Sequence, residues 1–177
     1  LFLNSPDAAT GSLLFGGKDI AKIDGDLVVL PPAGGYQRLE TVLNEVSFNG
    51  KSISVGWPTR LDTGSSDIIF DQDTFTQVTT EFFDWDGVTT YLGYPVVTSI
   101  PSGNIAFQLQ GITIEVPISD IAFNAGNGKF GLSLQAGDLP LFGIPFLNNA
   151  YVVFDLEDHV ISIGKVKFTD DSNIVPL

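Results

Sequence analysis

The residues best suited to chemistry lie together in Leu61-Asp62-Thr63-Gly64-Ser65-Ser66. Asp62 supplies a carboxylate, Gly64 lets other backbone approach where a Cβ would obstruct it, and Thr63, Ser65 and Ser66 supply hydroxyls. Ser65 can hydrogen-bond the carboxylate and orient it, while Thr63 can bond away from it into supporting structure. A carboxylate held beside a second one cannot ionise independently of it. The two then share one proton and form an acid and a base in one pair. Such a pair can activate water against a peptide carbonyl. The same run is also what an Asx-type turn uses, because these residues dominate turns for ordinary reasons. Leu61 before it and Ile68, Ile69 and Phe70 after it favour a loop buried between strands over a surface turn.

The elements that must position this loop read as short strands. Residues 1–3, 12–15 and 27–30 have β character, with turns at 4–11 and at Asp24-Gly25, the latter a hairpin signal. Residues 39–48 and 53–55 flank Asn49-Gly50, the strongest hairpin dipeptide of the chain. Residues 71–83 form the best helix: Asp71 or Asp73 can cap it, and Phe75, Val78 and Phe82 fall on one face. Strands follow at 91–97, 105–109, 112–116, 130–134, 139–142, 150–155 and 160–168, with room for one helical turn at 117–123. The expected fold class is all-β with one or two short helices, in one compact unit.

Other chemical signals lose to plainer readings. Gly126-Asn127-Gly128-Lys129-Phe130-Gly131 matches a dinucleotide fingerprint, but it precedes a strand-like run and no βαβ pattern surrounds it. Asp67, Asp71 and Asp73 lack the glycine and terminal glutamate of a calcium loop. No metal or other cofactor is expected. A serine hydrolase needs a histidine, and His159 stands alone in a polar hairpin tip with no Gly-x-Ser-x-Gly elbow anywhere. The absence of cysteine excludes thiol catalysis, zinc–thiolate sites and disulfides.

Twenty-one acidic residues against eight basic ones give a formal charge of −13, which disfavours nucleic acid and anionic membrane surfaces as partners. With so few cations, protonation of the carboxylates at acid pH leaves little repulsion, so acid tolerance is expected; solubility through net charge explains the same balance equally well. No apolar run approaches the ~20 residues needed to span a bilayer. The opening Leu1-Phe2-Leu3 reads as a processed or cut product.

Several stretches, taken in order, resemble the pepsin-like aspartic proteases, most closely the C-terminal half of fungal secreted members such as the candidapepsins. Residues 11–17 (GSLLFGG) and 25–31 (GDLVVLP) are similar to the start of that family's second lobe. Residues 61–70 resemble its second Asp-Thr/Ser-Gly motif and the strand after it. Leu141-Phe142-Gly143 resembles the paired apolar residues and glycine that cross beneath the catalytic loop. Residues 149–156 and 161–166 look like the closing hairpin. The resemblance covers nearly the whole chain, 1–177, as the C-terminal lobe of a bilobal fold, with 1–30 and 160–177 contributing to a sheet shared between lobes.

This resemblance implies a secreted endopeptidase acting at acid pH, with Asp62 as one of two catalytic aspartates. It implies that Gly64 and Ser65 bond to Asp62, that Thr63 bonds across to the other lobe, and that Gly64 and Ser66 touch substrate backbone. Tyr36 and Arg38 fall near where the family lines its primed-side pockets. One Asp-Thr-Gly occurs here, so the implied partner is an N-terminal-lobe chain of the same enzyme, forming a heterodimer from a cleaved precursor; a homodimer is the less favoured arrangement. Peptide substrates, pepstatin-type inhibitors and an extracellular, cell-wall or vacuolar location follow from the same resemblance. The alternative is a non-catalytic pepsin-fold protein that binds peptide or protein without cutting it. Three departures stand out: no disulfide near Thr98 and Phe130, Ile144 where the family often has Asp, and a Ser-Ser ending more typical of its first lobe.

Overall fold

A computed structural model of the protein describes residues 1–31, 33 and 40–177. Its central feature is the hairpin that Asn49-Gly50 predicts. Both residues take left-handed backbone (φ 49° and 78°) and join Glu40–Phe48 to Lys51–Leu61 in antiparallel register, with Phe48 opposite Lys51 and Glu40 opposite Arg60. The second strand is much longer than its apolar core at 53–55, and its far end delivers Leu61 to the candidate loop.

Seven strands make up the sheet around this hairpin. Their order is Leu134–Ala136, Ile68–Phe70, Leu141–Phe142, Lys51–Leu61, Glu40–Phe48, Asn104–Gln108 and Thr113–Pro117. The two-residue strand Leu141–Phe142 runs parallel to Lys51–Leu61 on one side and antiparallel to Ile68–Phe70 on the other. It is therefore wedged between the strand entering the loop and the strand leaving it.

Beneath that wedge lies an aromatic core. Phe142 stacks on Phe146 with ring centroids 4.0 Å apart, and Phe107 meets both edge-on at 5.4 and 5.7 Å. Phe70 stacks on Phe107 from the other side, and all four rings are buried.

The helix Gln72–Phe83 packs on the strands that flank the loop. Of the two candidate caps, Asp71 is the one used: its Oδ1 accepts the Asp73 and Thr74 amides at 3.1 Å each. Phe75, Val78 and Phe82 form the buried face, as their spacing predicts. A helical turn stands at Ile118–Ile121, within the stretch expected to hold one, and the structure adds a further turn at Ile144–Leu147, with Pro145 in its first turn.

Smaller sheets complete the molecule. Ala122–Gly126, Lys129–Leu132, Tyr94–Val97 and Thr90–Tyr91 form one of four strands, Ala150–Asp155, Val160–Val166 and Ile23–Leu30 one of three, and Gly17–Asp19 pairs with Ile174–Pro176. The Gly-x-Gly-x-x-Gly match is the turn of the first of these hairpins, with Gly126, Asn127 and Gly128 all at positive φ. Strands dominate, with short helices between them, as expected of a pepsin-like lobe.

Three local expectations are corrected. Asp24-Gly25 does not reverse the chain: both residues lie inside the continuous strand Ile23–Leu30. The register there shifts opposite Ile163 and Lys165, so the positive φ of Gly25 (85°) serves an irregularity in pairing with a strand remote in sequence. Residues 91–97 are not one strand but the end of a hairpin turning at Leu92-Gly93. Residues 1–3 and 12–15 meet only through the bridge Phe2–Ser12.

Candidate active site

The loop 62–67 is clamped by the chain that threads beneath it. The Asp62 amide donates to the Phe142 carbonyl at 3.0 Å, the Gly143 amide to the Asp67 carbonyl at 2.9 Å, and the Ile144 amide to the Ser65 carbonyl at 2.8 Å. Gly143 allows this approach. A Cβ at that position would fall 2.3 Å from the Asp67 carbonyl oxygen and 2.4 Å from that of Ser65, so no larger residue fits unchanged. The expected crossing of Leu141-Phe142-Gly143 beneath the loop is thus present in backbone detail.

At the top of the loop the Asp62 side chain is exposed. The Gly64 amide donates to its Oδ1 at 2.9 Å, and the Ser65 amide donates to the Asp62 backbone carbonyl at 3.3 Å. The Ser65 hydroxyl does not take the bond expected of it. It turns toward Asp67, accepting from that residue's amide at 3.2 Å and lying 3.4 Å from its carbonyl oxygen. The reason is local: Asp67 brings its amide back over the loop, where a hydroxyl two residues earlier closes a compact turn.

Thr63 and Ser66 are also exposed; the Ser66 hydroxyl donates to Asp67 Oδ1 at 3.4 Å, and the Thr63 hydroxyl makes no hydrogen bond to the described residues. Tyr36 and Arg38 lie outside the described residues. Below the loop, Arg60 pairs with the buried Glu40 across the hairpin, Nε to Oε1 at 2.8 Å, and so fixes the last turn of strand before Asp62.

Asp67, close to Asp71 and Asp73 in sequence, is separated from them in function by the fold. Asp71 caps the helix, whereas the Asp67 carboxylate is buried and accepts from Tyr94 Oη and Gln135 Nε2 at 3.2 Å each. The available signal was its position, a carboxylate directly before the buried run Ile68–Phe70, where only a hydrogen-bonded polar group can sit. His159 occupies the exposed tip of the closing hairpin at φ 55°, remote from any serine nucleophile pattern. Among the described residues no three His, Asp or Glu side chains gather as a metal-ligand set.

The arrangement offers one exposed carboxylate with one oxygen held by a backbone amide, on a loop that packing prevents from drifting. That is half of what a proton-sharing acid pair needs.

The model of the family described as eukaryotic aspartyl protease matches residues 1–166. Candidapepsin-1 of Candida albicans is 35% identical over an alignment covering all of this chain and 47% of the relative. Candidapepsin of Candida tropicalis is 34% identical over 99% of this chain and 44% of its own length, and secreted aspartic protease 8 of Candida albicans 33% identical over 100% and 43%. The chain therefore spans less than half the length of these curated relatives. With identity sustained from one end to the other, and the threaded loop around Asp62 built as described, this chain belongs to the eukaryotic aspartyl protease family.

Proposed function

We propose that the chain is the C-terminal lobe of a secreted aspartic endopeptidase that hydrolyses peptide bonds at acid pH. The observation that carries this reading is the exposed Asp62 carboxylate, oriented by the Gly64 amide on a clamped loop, in a chain with a single Asp-Thr-Gly. A second aspartate comes from an N-terminal-lobe chain of the same enzyme. Within the pair, the ionised carboxylate takes a proton from a bound water as its oxygen attacks the scissile carbonyl. The protonated carboxyl gives its proton to the carbonyl oxygen. Collapse of the tetrahedral adduct returns a hydroxyl proton to the pair and passes one to the departing nitrogen. No covalent intermediate and no metal is needed.

The rest of the chain fits this division of labour. The exposed Thr63 hydroxyl, with no hydrogen bond to the described residues, would bond the partner lobe, and Gly64 and Ser66 stand exposed where substrate backbone would run. Residues 1–30 and 160–177 carry exposed Leu13, Phe15, Val29 and Ile174, apolar surface that a shared inter-lobe sheet would cover. Tyr36 and Arg38 are assigned to the primed-side pockets. The names of the secreted relatives support secretion, with the cell wall and the vacuole as other destinations. Pepstatin-type inhibitors would displace the water between Asp62 and its counterpart.

Native mass of the non-denatured protein tests the partnership. A complex with a second chain of similar size that binds a pepstatin-type inhibitor is the expected result. A stable lone monomer contradicts the need for a partner chain, and a heterodimer that binds peptide without cutting it transfers the chain to the binding class.

A further inference from the structure

We propose that Asp67 is a positioning residue for Asp62, tying the catalytic loop to the small sheet that contains Tyr94. Its side chain is buried, and its three hydrogen-bond donors among the described residues are neutral: Tyr94 Oη and Gln135 Nε2 on Oδ2, and Ser66 Oγ on Oδ1. A carboxylate is a costly residue to bury, and the neighbouring inward positions Ile68 and Phe70 are filled by apolar side chains at no such cost. The buried carboxyl group is explained by what it connects.

On the loop side, both polar groups of the Asp67 backbone are engaged. Its amide donates to Ser65 Oγ, its carbonyl accepts from Gly143, and the Ser65 amide in turn bonds the Asp62 carbonyl. Gly64, whose amide holds the Asp62 carboxylate, sits inside this ring of bonds. On the other side, the Tyr94 ring is fixed edge-on by Phe123, centroids 5.3 Å apart. Phe123 fills the space over Gly131 that a Cβ would need. Gln135 arrives from the strand paired with Ile68–Phe70, in register with Ile69. The position of Asp67 is thus set by two elements outside the loop and passed to Asp62 through backbone bonds.

For its activity arm this inference rests on the peptidase reading, so its test has a second readout. In the complete enzyme, with both lobes present, Asp67→Asn, Asp67→Leu and Tyr94→Phe are compared with the parent by peptide cleavage and by amide hydrogen exchange. Asp67→Leu is expected to speed exchange at residues 64–67 and 143–144 by about tenfold while the distant hairpin 150–166 keeps its protection. Its kcat is expected to fall by about ten- to a hundredfold, the scale of a small misplacement of a reacting group, with KM within about twofold. Asp67→Asn, which keeps an acceptor for Tyr94, restores most of both. Unchanged exchange at 64–67, or loss of protection spread evenly over the sheet, overturns the proposal. Should Asp67→Leu fail to fold, Tyr94→Phe decides by the same two criteria. A parent that cuts no peptide refutes the peptidase reading alone, and the exchange readout still decides the role of Asp67.

Discussion

A methyl group at position 143 would press on two carbonyl oxygens at once, those of Ser65 and Asp67. Both are backbone, so neither can swing aside as a long side chain would. Gly143→Ala is therefore expected to cost about 1–3 kcal/mol of stability, the usual range for overpacking, and to displace the loop that carries Asp62. Denaturant unfolding of the two forms measures it; a variant as stable as the parent would mean that the loop has slack. At this scale the sequence was partly informative. Asp62 and Gly64 stand out because apolar residues flank the Asp-Thr-Gly run on both sides, which an ordinary surface turn would not need, and the Gly64 amide does hold the carboxylate. The direction of Ser65 was not legible, since it depends on how Asp67 folds back over the loop. Asp67 was hidden by its nearness to Asp71 and Asp73, which invited comparison with a calcium loop where the fold makes two unrelated sites.

Among the elements, the two-residue strand Leu141–Phe142 matters out of proportion to its length. Phe142 lies between the strand that enters the loop and the strand that leaves it, and its ring is a member of the aromatic cluster below. Phe142→Ala should lose about 3–5 kcal/mol, the cost of emptying a large ring from a packed core. Calorimetric or denaturant unfolding would show it; a loss below about 1 kcal/mol would imply that Phe107 and Phe146 collapse into the space. Elements whose signals are local were legible: the capped helix through its apolar face, and the central hairpin through Asn49-Gly50. Those set by remote partners were not. Asp24-Gly25 has the composition of a tight turn, but Ile23–Leu30 pairs with a strand far along the chain and runs straight through. Leu92 turns at φ 53° with an apolar side chain, against the preference that would have marked the hairpin there.

Across the whole molecule, the two ends of the chain are fastened by Asp19. Its carboxylate accepts from the Asn173 amide at 2.7 Å, Ser172 Oγ at 2.8 Å and the Ala21 amide at 3.2 Å, while its own amide donates to Tyr151 Oη. Burial pushes this carboxyl up, but the bonds from Asn173, Ser172 and Ala21 and the nearby Lys22 charge outweigh it and hold it below the ordinary range. A lowered folded-state pKa means that folding favours the ionised form. The stabilisation is complete above the unfolded value of about 3.9 and is lost as pH falls through the lower folded value. The clamp thus stays charged in acid that begins to neutralise ordinary carboxylates. Asp19→Asn should lower the thermal midpoint near neutrality, and its curve should converge with the parent's at the acid end; parallel curves would show that the charge contributes nothing. Long-range closure of this kind was not legible in the sequence, because no local pattern in residues 17–19 or 172–176 names its partner.

The proposed peptidase activity depends on Asp62 being one of a pair of catalytic carboxylates. The direct measurement is peptide cleavage by the complete protein across about pH 3–7, parent against Asp62→Asn, where a proton-sharing carboxylate pair would titrate. The predicted result is cleavage that is strongest on the acid side and reduced about a thousandfold or more in a variant that remains folded and still associates with its partner. Cleavage by Asp62→Asn at the parent's rate, or no cleavage by the parent at any of these pH values, would contradict it.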